Sequence, residues 1–158
     1  MCFWKNLAKF VGMKQSIDFL PERKQRDLHE LVGLIRDEVK DVVMIILYGS
    51  YARNTYVELD IRRDYGGGKI QYMSDYDILV VSKKRLGSRT VTVSSRVKSS
   101  FLKNKNADTQ TRPQIINESI TKFNNALSEG RYFYVDILTE GIVLYDSGEC
   151  QLATPCEL

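Results

Sequence analysis

At 158 residues with 43% apolar content, the chain fits one folded domain with a single core and is too apolar for a disordered protein. No uninterrupted apolar run approaches the ~20 residues of a membrane span, so no membrane partner is expected. A net charge of +3 tolerates an anionic substrate without demanding nucleic acid.

The first twelve residues, Met1-Cys2-Phe3-Trp4-Lys5-Asn6-Leu7-Ala8-Lys9-Phe10-Val11-Gly12, are amphipathic but lack the continuous core of a signal peptide. Residues 1–20 read as a docking segment, with a membrane-surface role as the alternative. Cys2, Cys150 and Cys156 are odd in number and lack metal-type spacing. They argue against a disulfide framework and for a reducing, cytoplasmic compartment.

Pro21 to about Val39 reads as a helix. Asp18 stands where a cap could, Pro21 suits the first turn, and Leu28, Leu31, Val32, Ile35 and Val39 repeat at helical spacing. His29, the lone histidine, lies off that stripe and reads as exposed. Val42 to Tyr48 is apolar at consecutive positions and rich in branched residues, the pattern of a strand covered on both faces. Gly49-Ser50 turns the chain, and Tyr51-Ala52-Arg53 begins a short helix. Alternation in Tyr56 to Ile61 and in Lys69 to Tyr72, around Asp64-Tyr65-Gly66-Gly67-Gly68, predicts a projecting β-hairpin.

Asp77 to Ser82 is the second core strand. In the basic stretch from Lys83 to Asn106, Val93, Val97 and Phe101 favour a helix, while Thr90-Val91-Thr92-Val93 pulls toward a strand. Its basic residues read as a solvated face, or alternatively as a surface for a polyanion. Arg112 to Glu118 is the third strand, with Pro113 at its start or at an edge position. Ser119 can cap a helix that Gly130 ends. Tyr132 to Leu138 fits a helix stopped by Gly141, although Phe133, Val135 and Ile137 also alternate as a strand would; the helix is favoured. Ile142 to Tyr145 is a last strand. Thr154-Pro155-Cys156-Glu157-Leu158 resembles a helix start, so residues 149–158 are expected to lead into a further C-terminal domain.

The chemistry concentrates at the ends of the two core strands. Asp75 and Asp77 are two apart, so on a strand both side chains point to one face. Adjacent carboxylates resist joint ionisation unless a cation joins them, and hard divalent ions accept carboxylate oxygens while keeping waters and phosphates as other ligands. Gly49 permits close backbone approach, Ser50 offers a hydroxyl and Arg53 a positive charge, which together suit phosphate.

Leu47-Tyr48-Gly49-Ser50-Tyr51-Ala52-Arg53, followed by Ser74-Asp75-Tyr76-Asp77-Ile78-Leu79-Val80, resembles the signature of the DNA polymerase beta-like nucleotidyltransferase superfamily. The match is greatest to small bacterial nucleotidyltransferase domains found beside or fused to HEPN domains, and Glu140 to Asp146 is similar to how those domains finish. The resemblance implies an α/β (α+β) fold over residues 21–148: a small mixed sheet, helices packed mainly on one face, and here an inserted β-hairpin. It implies that Gly49 and Ser50 hold the phosphates of a nucleotide, to which Arg53, one turn on, adds a positive charge by position, and that Asp75 and Asp77 are catalytic and hold magnesium, two ions in an active enzyme. It further implies transfer of a nucleotidyl group, AMP from ATP, to a protein or small-molecule hydroxyl, with a HEPN domain as a partner in cis or trans.

The sequence departs from that pattern at the third carboxylate. The next core strand offers Gln114 at the expected place, and Glu118 only at its far end. Asp136 would serve if Tyr132 to Leu138 were a strand, and faces elsewhere if it is a helix. An inactive nucleotide-binding or partner-binding module is therefore the alternative function.

Overall fold

A computed structural model describes residues 12–155. Its elements in chain order are α1 (Glu22–Glu38), β1 (Val42–Tyr48), α2 (Gly49–Ala52), β2 (Asp60–Arg63), β3 (Lys69–Tyr72), β4 (Tyr76–Ser82), α3 (Arg89–Leu102), β5 (Pro113–Ser119), α4 (Ile120–Ser128), α5 (Tyr132–Glu140) and β6 (Ile142–Asp146). Four strands form one sheet in the order β5-β4-β1-β6. β1 runs antiparallel to both β4 and β6, whereas β4 and β5 are parallel. β1 is central, and six of its seven residues are buried, which is why its sequence is apolar without alternation.

Side chains alternate across the sheet and build two cores. On one face Ile45, Leu47, Ile78 and Val80 meet Leu28, Leu31 and Ile35 of α1 and Val93, Val97 and Phe101 of α3. On the other, Met44, Ile46, Leu79 and Val81 meet Phe123 and Leu127 of α4 and Ile137 and Leu138 of α5. The bias toward one face is one of length. The helices of 17 and 14 residues share the first face, and two helices of 9 residues cover the second. The small mixed sheet with packed helices is the expected α/β class.

Local signals act largely as their chemistry suggests. Ser119 caps α4 by accepting from the Lys122 amide at 3.2 Å, and Gly130 leaves that helix with φ +69°. Pro113 opens β5, which lies at the sheet edge where its missing N–H removes no interior ladder bond. α1 starts behind Pro21 with no side-chain cap, so Asp18 does not take the capping role. Gly141 keeps an ordinary φ. A Cβ there would strike the Ile137 carbonyl and crowd Ile46 Cγ2 at 2.9 Å, so close helix–sheet packing requires the glycine.

β2 and β3 pair only with each other, as the expected hairpin insert. Asp64 Oδ1 closes its turn by accepting from the amides of Gly66 at 2.9 Å and Gly68 at 2.7 Å. The paired strand begins at Asp60 rather than Tyr56. Residues 12–20 lie against the body, with Ile17 and Leu20 buried and Lys14 bridged to Ile142. Asn124 holds the tail through Gln151 O and the Ala153 amide. Residues 1–11, with most of the amphipathic stretch and Cys2, and residues 156–158, with Cys156, lie outside the described residues. Among the described residues no helix is long and apolar enough to cross a membrane.

Candidate functional site

The antiparallel pairing of β1 and β4 brings the end of one strand to the start of the other. Tyr48 sits opposite Asp77. The next residue, Gly49, has φ +73°, a left-handed conformation that side chains rarely adopt. A Cβ on Gly49 would run into the Asp77 carboxylate, with Cγ only 3.2 Å away. Two independent requirements therefore select glycine: backbone conformation and the acid packed on it. The sequence reading assigns Gly49 close approach to a ligand; the neighbour that requires glycine here is the Asp77 side chain of the same chain.

α2 is a single turn. Its inward residues, Tyr51 and Ala52, are buried, while Ser50 is half-buried and Arg53 exposed. Tyr51 stacks on Tyr56 with ring centroids 4.1 Å apart, and the Ser50 carbonyl accepts from the Thr55 amide at 2.9 Å. The turn is thus anchored by its aromatic residue, with Ser50 half-buried next to it. Arg53 reaches across to Glu140 of α5 at 3.4 Å. It is close enough to Asp77 to offset the raised carboxyl, but its ion-pair partner is a carboxylate.

Asp75 and Asp77 are both half-buried. Burial holds the Asp77 carboxyl above its ordinary value, Asp75 pushes it further the same way, and Arg53 draws it back. The Tyr48 phenol is pushed up to about 12, first by burial and then by the Asp77 charge. Ser74 fixes the start of the acidic stretch. Its amide donates to Val57 O and its hydroxyl accepts from the Val57 amide, both at 2.8 Å, tying the hairpin stem to β4. The result is a carboxylate pair in a partly desolvated corner with little local positive charge. Asp77 in β4 and Asp75 just before that strand are acidic oxygen donors of the kind that suits a hard divalent cation completing its shell with water and phosphate.

The third acid of the sequence pattern is not brought in. Parallel register sets Gln114 beside Asp77, on the same face and exposed. Glu118 lies four residues along β5, roughly 13 Å away at ~3.3 Å per residue. It is buried there, accepting from the Tyr134 hydroxyl at 3.1 Å with Lys122 at 3.7 Å. Asp136 is exposed on α5, which is a helix as favoured. Among the described residues no group of three or more His, Cys, Asp or Glu side chains is placed to hold a metal ion. His29 is exposed on α1.

Sequence reasoning missed the residues behind the pair. Lys24 is 4% exposed and lies under Tyr51 and Tyr76, the aromatic residues inside the two motifs. A signal existed: Lys24 precedes Leu28, Leu31 and Ile35 at spacings of four, seven and eleven, so it occupies the apolar stripe of α1.

No protein-family model matches the chain, and no curated protein matches it. Among solved structures it is similar to a toxin–antitoxin with AMP-PNP at 17% identity and TM-score 0.45, covering 76% of this chain and 73% of that one. It is also similar to tri-AMPylated Shewanella oneidensis HEPN toxin in complex with MNT antitoxin at 16% identity and TM-score 0.45, covering 79% and 74%. A third, described as a nucleotidyltransferase from Sulfolobus solfataricus, aligns at 16% identity and TM-score 0.43 over 86% of this chain and 93% of its own. At this level of overlap none of the three carries its chemistry across to this chain.

Proposed function

We propose that this protein is a magnesium-dependent nucleotidyltransferase that moves AMP from ATP onto a hydroxyl of a protein partner, a HEPN domain in cis or trans. One observation carries the reading: the Asp77 carboxylate is packed on Gly49, so an acid suited to a cation adjoins the turn suited to phosphate. The sequence resemblance at Leu47–Arg53 and Ser74–Val80 supports this acceptor class by analogy with the family. Asp75 and Asp77 would hold the cation, which when bound neutralises the triphosphate and polarises its α-phosphorus. Ser50, half-buried, orients a phosphate through its hydroxyl. Arg53, half-exposed, exchanges Glu140 for phosphate charge at little cost, because exposed ion pairs are weak. Tyr48, neutral to high pH, walls the Asp77 side and keeps it partly dry.

Gln114 favours a second reading. With an amide where the pattern wants a carboxylate, the protein would bind nucleotide, or only its partner, without turnover. The choice is made by incubating the protein with magnesium and α-labelled ATP, with and without a HEPN acceptor. Transfer of label that disappears in Asp75→Asn and Asp77→Asn establishes the enzyme. Metal-dependent ATP binding without transfer establishes the nucleotide-binding module, and the absence of both transfer and binding refutes the nucleotide reading and leaves only the partner-binding role.

A further inference from the structure

Lys24 is a buried cation with no place in the chemistry above. Its Nζ donates to Thr111 Oγ1 at 2.6 Å. It lies 5.3 Å from the centroid of the Tyr51 ring and 5.6 Å from that of Tyr76, within range of both π faces. The rings are themselves 4.7 Å apart, and Tyr51 Oη shares Thr111 Oγ1 at 3.2 Å. Tyr76 Oη donates to Asp27 Oδ2 at 2.7 Å, which also accepts from Gln110. Glu58, the nearest counter-charge, stands 4.0 Å from Nζ.

The connectivity matters more than any single contact. Tyr51 is the residue after Ser50. Tyr76 lies between Asp75 and Asp77 and points to the opposite face of β4. Thr111 precedes Arg112, whose carbonyl accepts from the Tyr76 amide at 2.8 Å just before β5 and Gln114 begin. One side chain from α1 thus touches all three segments that form the site, from behind.

We infer that Lys24 is a positioning residue: it locks the Gly49–Arg53 turn, the start of β4 and the approach to β5 in one arrangement. The inference rests on the nucleotidyltransferase reading for what those segments hold. Packing alone does not call for a lysine here. The position continues the stripe of Leu28, Leu31 and Ile35, where an apolar side chain would fill the space with no desolvation penalty. Burial acts against the charge, lowering the Lys24 pKa, and Arg23 adds to that effect. A methionine would keep the volume and lose the ammonium's three-way contact.

The test compares wild type, Lys24→Met and Lys24→Arg by thermal melting, amide hydrogen exchange, and calorimetric affinity for a non-hydrolysable ATP analogue with magnesium. Lys24→Met is expected to melt no lower than wild type, yet to exchange faster in residues 49–55 and 74–78. Its affinity should fall by roughly 10-fold, the low end of what losing support around a metal site costs, because Lys24 touches the neighbours of the proposed ligands and not the ligands themselves. Lys24→Arg should recover most of that loss. A lysine of merely structural value would lower the melting temperature and leave affinity intact. Folded Lys24→Met with wild-type exchange in both segments, or with wild-type affinity, overturns the inference. If wild type itself binds no magnesium–nucleotide, the nucleotidyltransferase reading fails, and the exchange data alone decide the role of Lys24. Should Lys24→Met not fold, Thr111→Val removes the shared acceptor at nearly constant volume, and unchanged exchange in that variant overturns the inference.

Discussion

At the scale of single residues the site is a place where stability is given up. Asp77 is held above the ordinary aspartate pKa by desolvation first and by Asp75 second, with Arg53 opposing both. A carboxyl raised in the folded state stabilises the fold while protonated, and that stability is lost as pH rises through its folded-state value. At neutral pH the ionised group therefore works against folding. Asp77→Asn should raise the melting temperature of the metal-free protein near pH 7. The gain should shrink toward nothing as pH falls below the ordinary aspartate range, where wild type is protonated too. Added magnesium should stabilise wild type and leave the variant unmoved. Melting curves at two pH values, with and without the ion, read all three effects; an Asp77→Asn variant that melts lower than wild type at neutral pH contradicts the argument.

The same scale explains what could be read in the sequence. The turn at Gly49 and the like-charge neighbourhood of Asp75 and Asp77 are legible because their causes are local: a left-handed backbone, and two acids two residues apart. Lys24 was not, because its meaning depends on which rings lie above it, and those belong to residues 27 and 52 positions further along the chain. For Arg53 a position is legible in the sequence and a partner is not. Its side of the site follows from helical geometry, but the partner, Glu140, comes from a helix packed against it by tertiary structure alone.

At the scale of elements, periodicity decided most outcomes. The stripe of α3 prevailed over its branched Thr90–Val93 run because Val93, Val97 and Phe101 each reach the core. α5 prevailed over a strand for a similar reason, since Ile137 and Leu138 pack on β1 from a helix. The hairpin is different in kind. Both strands are mostly exposed, with Ile61, Ile70 and Tyr72 facing solvent, and β2 begins later than alternation suggests because Val57 is already engaged with Ser74. A two-stranded ribbon that buries so little contributes little to global stability. Replacing residues 60–72 with a short Gly-Ser linker, keeping Glu58 and Ser74, should change the melting temperature by only a few degrees, equivalent to about 1 kcal/mol for a chain of this size. Circular dichroism melts would show it. A cooperative loss of structure would instead mean that the hairpin is integral to the fold.

At the scale of the whole molecule, topology gathers the candidate site residues and sets an amide, Gln114, beside Asp77. The order β5-β4-β1 lines up Gln114, Asp77 and Tyr48 across three adjacent strands although they are far apart in sequence. The antiparallel β1–β4 pair supplies the Gly-Ser turn and the acidic pair at one sheet end. The parallel β4–β5 pair then fixes which β5 residue meets Asp77, and register leaves no freedom, since a slip of one would turn Gln114 to the other face. Gln114→Asp should therefore place a third carboxylate on the face that bears Asp77. Without metal, three acids in a half-buried corner repel, and the variant should melt below wild type by an amount that high salt reduces. With magnesium or manganese the order should reverse, because the cation gains a ligand and its affinity rises. In the labelled-ATP assay the variant should transfer more label than wild type if the missing acid limits turnover. Equal transfer, alongside tighter metal binding, would mean that Gln114 suffices as it stands and that another group activates the acceptor hydroxyl.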